Sequence, residues 1–212
     1  LYLCSANLSI MTYSTKISGI LSVKTVGIAG AGGLGSNVAA ALVRSGIGKL
    51  VIADSDTVSL TNLNRQFYFS AQTGMKKCIA LKENLLAISD RTRIEVHDCR
   101  VTPQNAATLF SGCDVVVEAF DSAEEKNWFA EYMTGRFPHI PLVMGSGLAG
   151  WGAFERLIIQ QSDNLYVCGD QESEAFPHSV LMAPRVIMVA MMQADTVLGI
   201  LLKELDHDHH TE

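Results

Sequence analysis

The sequence predicts an α/β protein: a mostly parallel sheet with helices on both faces and an antiparallel pair of strands at its end. Three observations predict it. Short β-branched runs alternate with helical stretches along the chain, the pattern of strands joined by crossover helices. The first such run, Thr25–Gly30 (TVGIAG), passes directly into a glycine-rich turn and a helix of small residues. Asp114–Phe120 (DVVVEAF) is continuously apolar at its centre, as a strand covered on both faces should be.

Taken in order, Thr25–Gly30 is the first strand and Ser36–Ser45 (SNVAAALVRS) the first helix of the sheet, stopped by Gly46 and Gly48. Lys49–Asp54 (KLVIAD) is the second strand. Ser55–Thr73 is long for a loop in a compact domain, which marks it as functional. Residues 75–89 form a helix, with Leu81, Leu85 and Ile88 on one face. Ile94–Val101 is the third strand, and Thr102 is expected to cap a helix over 103–110 with Pro103 at its first position. Asp114–Phe120, a helix over about 123–134 and Leu142–Gly145 follow, then a glycine-rich turn to Gly152. Arg156–Gln160 and Leu165–Cys168 are the antiparallel pair, and Pro184 opens a long final helix. No repeat or linker divides the chain. Residues 21–205 are expected to be one domain, with 1–20 an extension and 206–212 a tail.

Bulk properties narrow the function. A chain of 212 residues, 48% hydrophobic and 18% charged, can bury a substantial core. A net charge of −6 argues against a basic nucleic-acid surface. The five cysteines (Cys4, Cys78, Cys99, Cys113, Cys168) are scattered and include no Cys-x-x-Cys pair. That fits a reducing cytoplasm rather than a disulfide framework or a structural zinc. Residues 1–24 lack the pattern of a signal peptide. Residues 183–202 approach a bilayer span in length, but Arg185, Gln193 and Asp195 favour a helix buried in the core or at a dimer interface. His207-Asp208-His209-His210 reads as a solvated end rather than a metal site.

The chemistry gathers at strand ends. Gly30-Ala31-Gly32-Gly33-Leu34-Gly35 satisfies strand–GxGxxG–helix, and Asp54 ends the next strand. Such glycines let the backbone approach phosphate, the helix N-terminus offers free N–H groups, and the acid can accept ribose hydroxyls. This does not separate NAD from ATP. Arg65, in Asn62-Leu63-Asn64-Arg65-Gln66, and Lys77, in the first turn of its helix, can both point at phosphates along the carboxyl edge of the sheet. Asp121 ends the fourth strand with Glu118 three residues back, and a carboxylate there could hold Mg²⁺. Asp121 or Ser122 could equally cap the helix that follows.

Together, Gly30-x-Gly32-Gly33-Leu34-Gly35-Ser36, Asp54-Ser55-Asp56-Thr57-Val58, Asn62-Leu63-Asn64-Arg65-Gln66, Gly74-x-x-Lys77 and the Asp121 strand end resemble the ThiF/MoeB/HesA family, the bacterial branch related to the ubiquitin-activating enzymes. The resemblance runs from about residue 20 to residue 203. It implies a Rossmann-like sheet that binds ATP and Mg²⁺ and adenylates the terminal glycine of a ubiquitin-fold sulfur carrier such as ThiS or MoaD. By motif position, Gly33 would contact phosphates and Asp54 the ribose, with Gly30, Gly32, Gly35, Asp56 and Ser122 also in the nucleotide site. Asn62 and Arg65 would lie along the triphosphate, Lys77 would neutralise it, and Asp121 would position the metal. Arg65, Lys77 and Asp121 are the expected catalytic residues. A terminal carboxylate, with a pKa of ~3.3–3.7, is already ionised at neutral pH and needs no catalytic histidine. His97, His139 and His178 are accordingly assigned surface or structural roles.

Departures from the family pattern are informative. The two Cys-x-x-Cys pairs of larger members are absent, so no zinc is expected, and Asp121-Ser122 stands where many read Asp-Asn. No Arg-x-x-Arg-Gln-like segment precedes the glycine loop; Lys16 and Lys24 are the basic residues there. The short chain is most similar to compact zinc-free ThiF-like proteins of thiamine biosynthesis. That implies a ThiS-like carrier, a cysteine desulfurase or other sulfur donor, and a homodimer. Cys168 could handle sulfur, although a buried strand-end thiol is the commoner meaning. The rival readings are adenylation of a tRNA-borne carboxylate, which the acidic balance disfavours, adenylation of a peptide, an NAD(P)-dependent oxidoreductase, and a partner-binding pseudoenzyme.

Overall fold

A computed structural model describes residues 14–173 and 180–206. Residues 14–21 are helical and are called α1. The sheet elements then run β1 (Thr25–Ala29), α2 (Gly33–Arg44), β2 (Lys49–Ala53), α3 (Lys77–Ile88), β3 (Arg93–His97), α4 (Ala106–Phe110), β4 (Val115–Glu118) and α5 (Ala123–Arg136). They continue through β5 (Leu142–Gly145), β6 (Ile158–Ser162), β7 (Leu165–Gly169), α6 (Ala183–Leu201) and α7 (Lys203–Asp206). The seven strands are ordered β3-β2-β1-β4-β5-β7-β6, all neighbours parallel except β6 and β7. This is the expected α/β class. The chain reverses direction across the sheet between β1 and β4, so a crevice opens at their carboxyl ends.

Two apolar layers cover the sheet. On one face, α2, α3 and α6 pack Val38, Leu42, Leu81, Leu85, Val186 and Val189 against Ile28, Ile52 and Val117. On the other, Phe110, Phe129 and Met133 of α4 and α5 pack on Val51, Val116 and Leu142. The alternation along β1, β2 and β4 supplies both layers, because successive strand residues face opposite sides. Helix α6 is long and apolar enough to cross a membrane by length and composition. It instead lays Val186, Val189, Ala190 and Val197 into the core, and its fully buried Gln193 donates to the Glu118 and Val143 carbonyls. Ile187, Met188, Met191 and Asp195 are left on its outer face.

Two expectations need correction. The helix expected over 103–110 begins at Ala106. Thr102 does not cap it: Asn105 folds back instead, its Oδ1 accepting from Thr102 N–H and its Nδ2 donating to the Arg100 carbonyl. The third strand ends at His97, because the chain then turns away as the loop 98–105.

Candidate functional site

The crevice at the carboxyl ends of β1, β2 and β4 is a cleft of about 710 Å³. Gly30 leaves β1 with φ of +101°, a conformation costly for any residue with a Cβ. The backbone then turns tightly enough that a Cβ at Gly35 would run into the Gly30 carbonyl. Gly30, Gly32 and Gly33 line the cleft, and α2 begins at Gly33 with no side-chain cap, leaving its first N–H groups for a ligand. Gly35 does not line the cleft and serves the packing of the turn.

Asp54, just beyond β2, braces this turn. Its Oδ2 accepts from Ala31 N–H at 2.7 Å and its Oδ1 from Asp56 N–H at 2.7 Å, while the carboxylate still lines the cleft. Tyr68 is buried and donates to the Ala31 carbonyl, tying the 55–73 segment to the glycine turn. Burial, with Asp54 nearby, pushes its phenol well above the usual range. Arg65 lies over Gly33 with its Nη1 on the Asn64 side chain and the Thr61 carbonyl. Lys77 opens α3, almost wholly buried, with its Nζ 2.8 Å from Asp56 Oδ2.

Asp121 also lines the cleft, exposed, and among the described residues no side chain pairs with it. Glu118 is different. It is fully buried, its carboxylate held by Lys126 at 3.0 Å on both oxygens and by Phe120 N–H at 2.6 Å. Burial pushes its pKa up, and Lys126 opposes that shift. Glu118 is therefore committed to the wall and is no candidate metal ligand. Among the described residues no group of three or more His, Cys, Asp or Glu side chains is placed to hold a metal ion. Asp121 alone fits a magnesium held largely by phosphate oxygens and water.

The structure thus brings Gly30, Gly32, Gly33, Asp54, Asp56, Arg65, Lys77 and Asp121 to one cleft. Besides Gly35, two expected residues stand apart from it. Asn62 spends its Oδ1 on Ser59 N–H in a 3₁₀ turn. Ser122 caps α5, accepting from Glu125 N–H. Cys168 lies within β7, fully buried beside Thr196, and burial raises its thiol pKa, which disfavours a reactive role. His97 contacts Glu95, in line with a structural role, whereas His178 and the 207–212 tail fall outside the described residues.

Sequence reasoning missed most of the opposite wall. Ser146, Gly147, Leu148 and Ala149 after β5 line the cleft together with Gln171, Glu172 and Ser173 after β7, and the two segments are hydrogen-bonded to each other: Gln171 N–H donates to the Ser146 carbonyl and Ala149 N–H to the Ser173 hydroxyl. A buried knot fastens these loops to α6. Arg185 donates to Asp170 and to the Gly152 and Ala153 carbonyls, and the other Asp170 oxygen accepts from the Glu172 and Ser173 N–H groups and the Ser173 hydroxyl. Burial raises the Asp170 pKa, but these hydrogen bonds outweigh it and the net shift is downward. Gln66 also lines the cleft with its Oε1 buried and, among the described residues, without a partner. Its place beside Arg65 was the one signal in the sequence that could have found it.

A family model described as the ThiF family matches residues 7–212. The chain belongs to the ThiF family. Among its relatives is the ubiquitin-like modifier-activating enzyme 5 of Caenorhabditis briggsae, 42% identical over 89 residues, covering 42% of this chain and 21% of that protein. The tRNA threonylcarbamoyladenosine dehydratase of Escherichia coli K12 is 35% identical over 140 residues, covering 65% of this chain and 52% of the relative. The adenylyltransferase and sulfurtransferase MOCS3 of Anopheles gambiae is 35% identical over 135 residues, covering 62% and 30%. The chain therefore spans between about a fifth and about half the length of these relatives. Among solved structures, the Escherichia coli dehydratase in complex with ATP superposes with a TM-score of 0.82 at 23% identity, covering 93% of each chain. That likeness establishes the shared fold.

Proposed function

We propose that this ThiF-family chain is an ATP-dependent adenylyltransferase that activates the C-terminal carboxylate of a ubiquitin-fold sulfur carrier, ThiS-like, as an acyl-adenylate. The observation that carries the reading is the meeting of Arg65, Lys77 and Asp121 around the capless N-terminus of α2. Joining a carboxylate to the α-phosphorus drives one anion onto another. The residues needed are those that cancel charge and align the partners, not a general base.

In this reading the α2 N-terminus and Gly33 hold the phosphates, and Asp54 meets the ribose while still bracing the turn. Arg65 and Lys77 balance the charge that develops between the α- and β-phosphates, and Lys77 exchanges Asp56 for a phosphate oxygen. Asp121 would hold a magnesium ion, which neutralises the triphosphate and steadies departing pyrophosphate. The carrier's tail would enter along the wall that residues 146–149 and 171–173 form together. We further propose a homodimer joined through the outer face of α6, acting in a reducing cytoplasm with a cysteine desulfurase or similar sulfur donor, in thiamine biosynthesis.

A second reading, adenylation of a tRNA-borne carboxylate, draws support from the dehydratase relative. Pyrophosphate–ATP exchange decides between them: it is run with ThiS-like and MoaD-like carriers, with total tRNA, and with Lys77→Ala and Arg65→Ala. The first reading expects carrier-dependent exchange, with each variant folded and slowed by roughly 10²-fold or more. Exchange stimulated by tRNA alone would select the second reading. Wild-type exchange in Lys77→Ala would refute the assigned chemistry.

A further inference from the structure

Gln171 carries two costs at once. Its backbone sits at φ of +62°, a left-handed conformation unfavourable for a residue with a Cβ. Its side-chain Nε2 is buried and, among the described residues, has no acceptor. Both costs fall in the cleft, which Gln171 lines with Ser146, Gly147 and Leu148. The backbone imposes the first of them. Gln171 N–H donates to the Ser146 carbonyl at 3.2 Å and Asp170 N–H to the Gly147 carbonyl at 3.2 Å. The two segments run so close that a Cβ at Gly147, itself at φ of +71°, would meet the Gln171 nitrogen and Cα.

The same crossing leaves this wall with unspent donors. The Ser146 and Gly147 carbonyls are taken by those two bonds, and both Asp170 oxygens by Arg185, Glu172 and Ser173. By contrast, the Gly147 and Leu148 N–H groups donate to no described residue, and Gln171 Nε2 is a third donor without an acceptor. The charged groups along the wall are already committed. Lys126 gives its ammonium to Glu118 and the Gly145 carbonyl, Arg185 pairs with Asp170, and Glu172 pairs with Arg156 at 3.2 Å. What remains is a group of neutral N–H donors, suited to a ligand that only accepts.

We propose that Gly147, Leu148 and Gln171 form a neutral cradle for the terminal carboxylate of the carrier; this rests on the adenylation proposed above. An ionised acceptor draws strong hydrogen bonds from N–H donors. The last torsion of a glutamine is soft, so Nε2 turns into the cleft when an acceptor arrives. A cation there would blunt the nucleophile, whereas neutral donors hold one oxygen and leave the other reactive. That second oxygen forms its bond to the α-phosphorus as the bond to pyrophosphate breaks, and no proton moves. The strand order suits the step. The phosphate end follows β1, Asp121 follows β4, and the cradle follows β5 and β7, so the two anions approach from either side of Asp121.

The test is calorimetric titration of the full chain with a ThiS-like carrier and with the same carrier bearing a terminal carboxamide. Magnesium and α,β-methylene ATP are present, so that no turnover occurs. The wild type is expected to prefer the carboxylate by about thirtyfold. Gln171→Gly relaxes the backbone, and Gln171→Glu keeps the shape but replaces the donor with an anion. Each should cut that preference about tenfold or more, keep nucleotide affinity and melt as the wild type does. In exchange assays the KM for carrier should rise about tenfold while that for ATP stays unchanged. Equal binding of the two carriers by the wild type, or variants with the wild-type preference and carrier KM, overturn the cradle and leave adenylation standing. Carboxylate-dependent binding that Gln171→Gly abolishes, with no exchange, removes adenylation and leaves the cradle standing. Binding of neither carrier overturns both.

Discussion

Lys77 Nζ lies 2.8 Å from the carboxylate of Asp56, and the partners are oppositely exposed: the lysine side chain 7%, the aspartate 65%. A nearly buried ammonium is thus compensated by a carboxylate that water already reaches. Releasing it costs little on the aspartate side, whereas the lysine must always face some anion.

This asymmetry predicts that Asp56→Asn tightens ATP. An anion a few ångströms from a polyanion costs on the order of 1 kcal/mol in a water-exposed setting, so affinity should rise by about fivefold. Calorimetric titration without magnesium checks it. Weaker binding would mean that Asp56 contacts the nucleotide rather than competing with it.

Lys126 and Glu118 form the opposite case, with a fully buried carboxylate and a lysine side chain 17% exposed. Lys126→Met strands that charge and should destabilise by about 3–5 kcal/mol, read as a lower urea midpoint. Adding Glu118→Gln should recover part of the loss, giving a coupling energy of at least about 1 kcal/mol in the double-mutant cycle. Additive effects would mean that the pair contributes nothing as a pair.

Gly35→Ala is predicted to cost about 1–3 kcal/mol, because the new methyl meets a backbone carbonyl that cannot rotate aside. Chemical denaturation with an unchanged m-value would check it.

The pH dependence centres on Asp170. Its pKa is lowered in the folded protein, so its contribution to stability is present above the unfolded value of about 3.9 and is lost as pH falls through the lower folded value. Loosening of the Arg185 knot should register in the fluorescence of Trp151, which neighbours the Gly152 carbonyl that Arg185 holds. Asp170→Asn should show the loosened signal at neutral pH and lose the acid transition.

Cys99, the cleft-lining thiol, should be alkylated slowly at neutral pH, since burial and the nearby Asp98 raise its pKa. Saturating ATP should slow it further, by roughly tenfold. Cys78 and Cys113, buried and pushed up to about 12, should resist in the folded state. Peptide mapping separates the sites.

Much of the fold was legible because its periodicities are strong. The Val115–Val117 run, the glycine turn and the apolar face of α3 each report local chemistry, and they lie within a few residues of the observed elements. The α4 start was misread because Thr102-Pro103 is a sound helix opening by local rules, and Asn105 defeats it by returning to Thr102 N–H. The near wall of the cleft was legible from its motifs. The far wall was not: Asp170 and Arg185 are fifteen residues apart in sequence, and nothing local announces that both are buried together.

Asp54 carries a last consequence for how mutants at this site are interpreted. Its two oxygens already fasten the glycine turn and the start of the 55–73 segment. Alanine at this position would slacken the scaffold and delete a ligand contact in the same stroke, so lost turnover there has two causes. Only thermal melting recorded beside nucleotide affinity can apportion them.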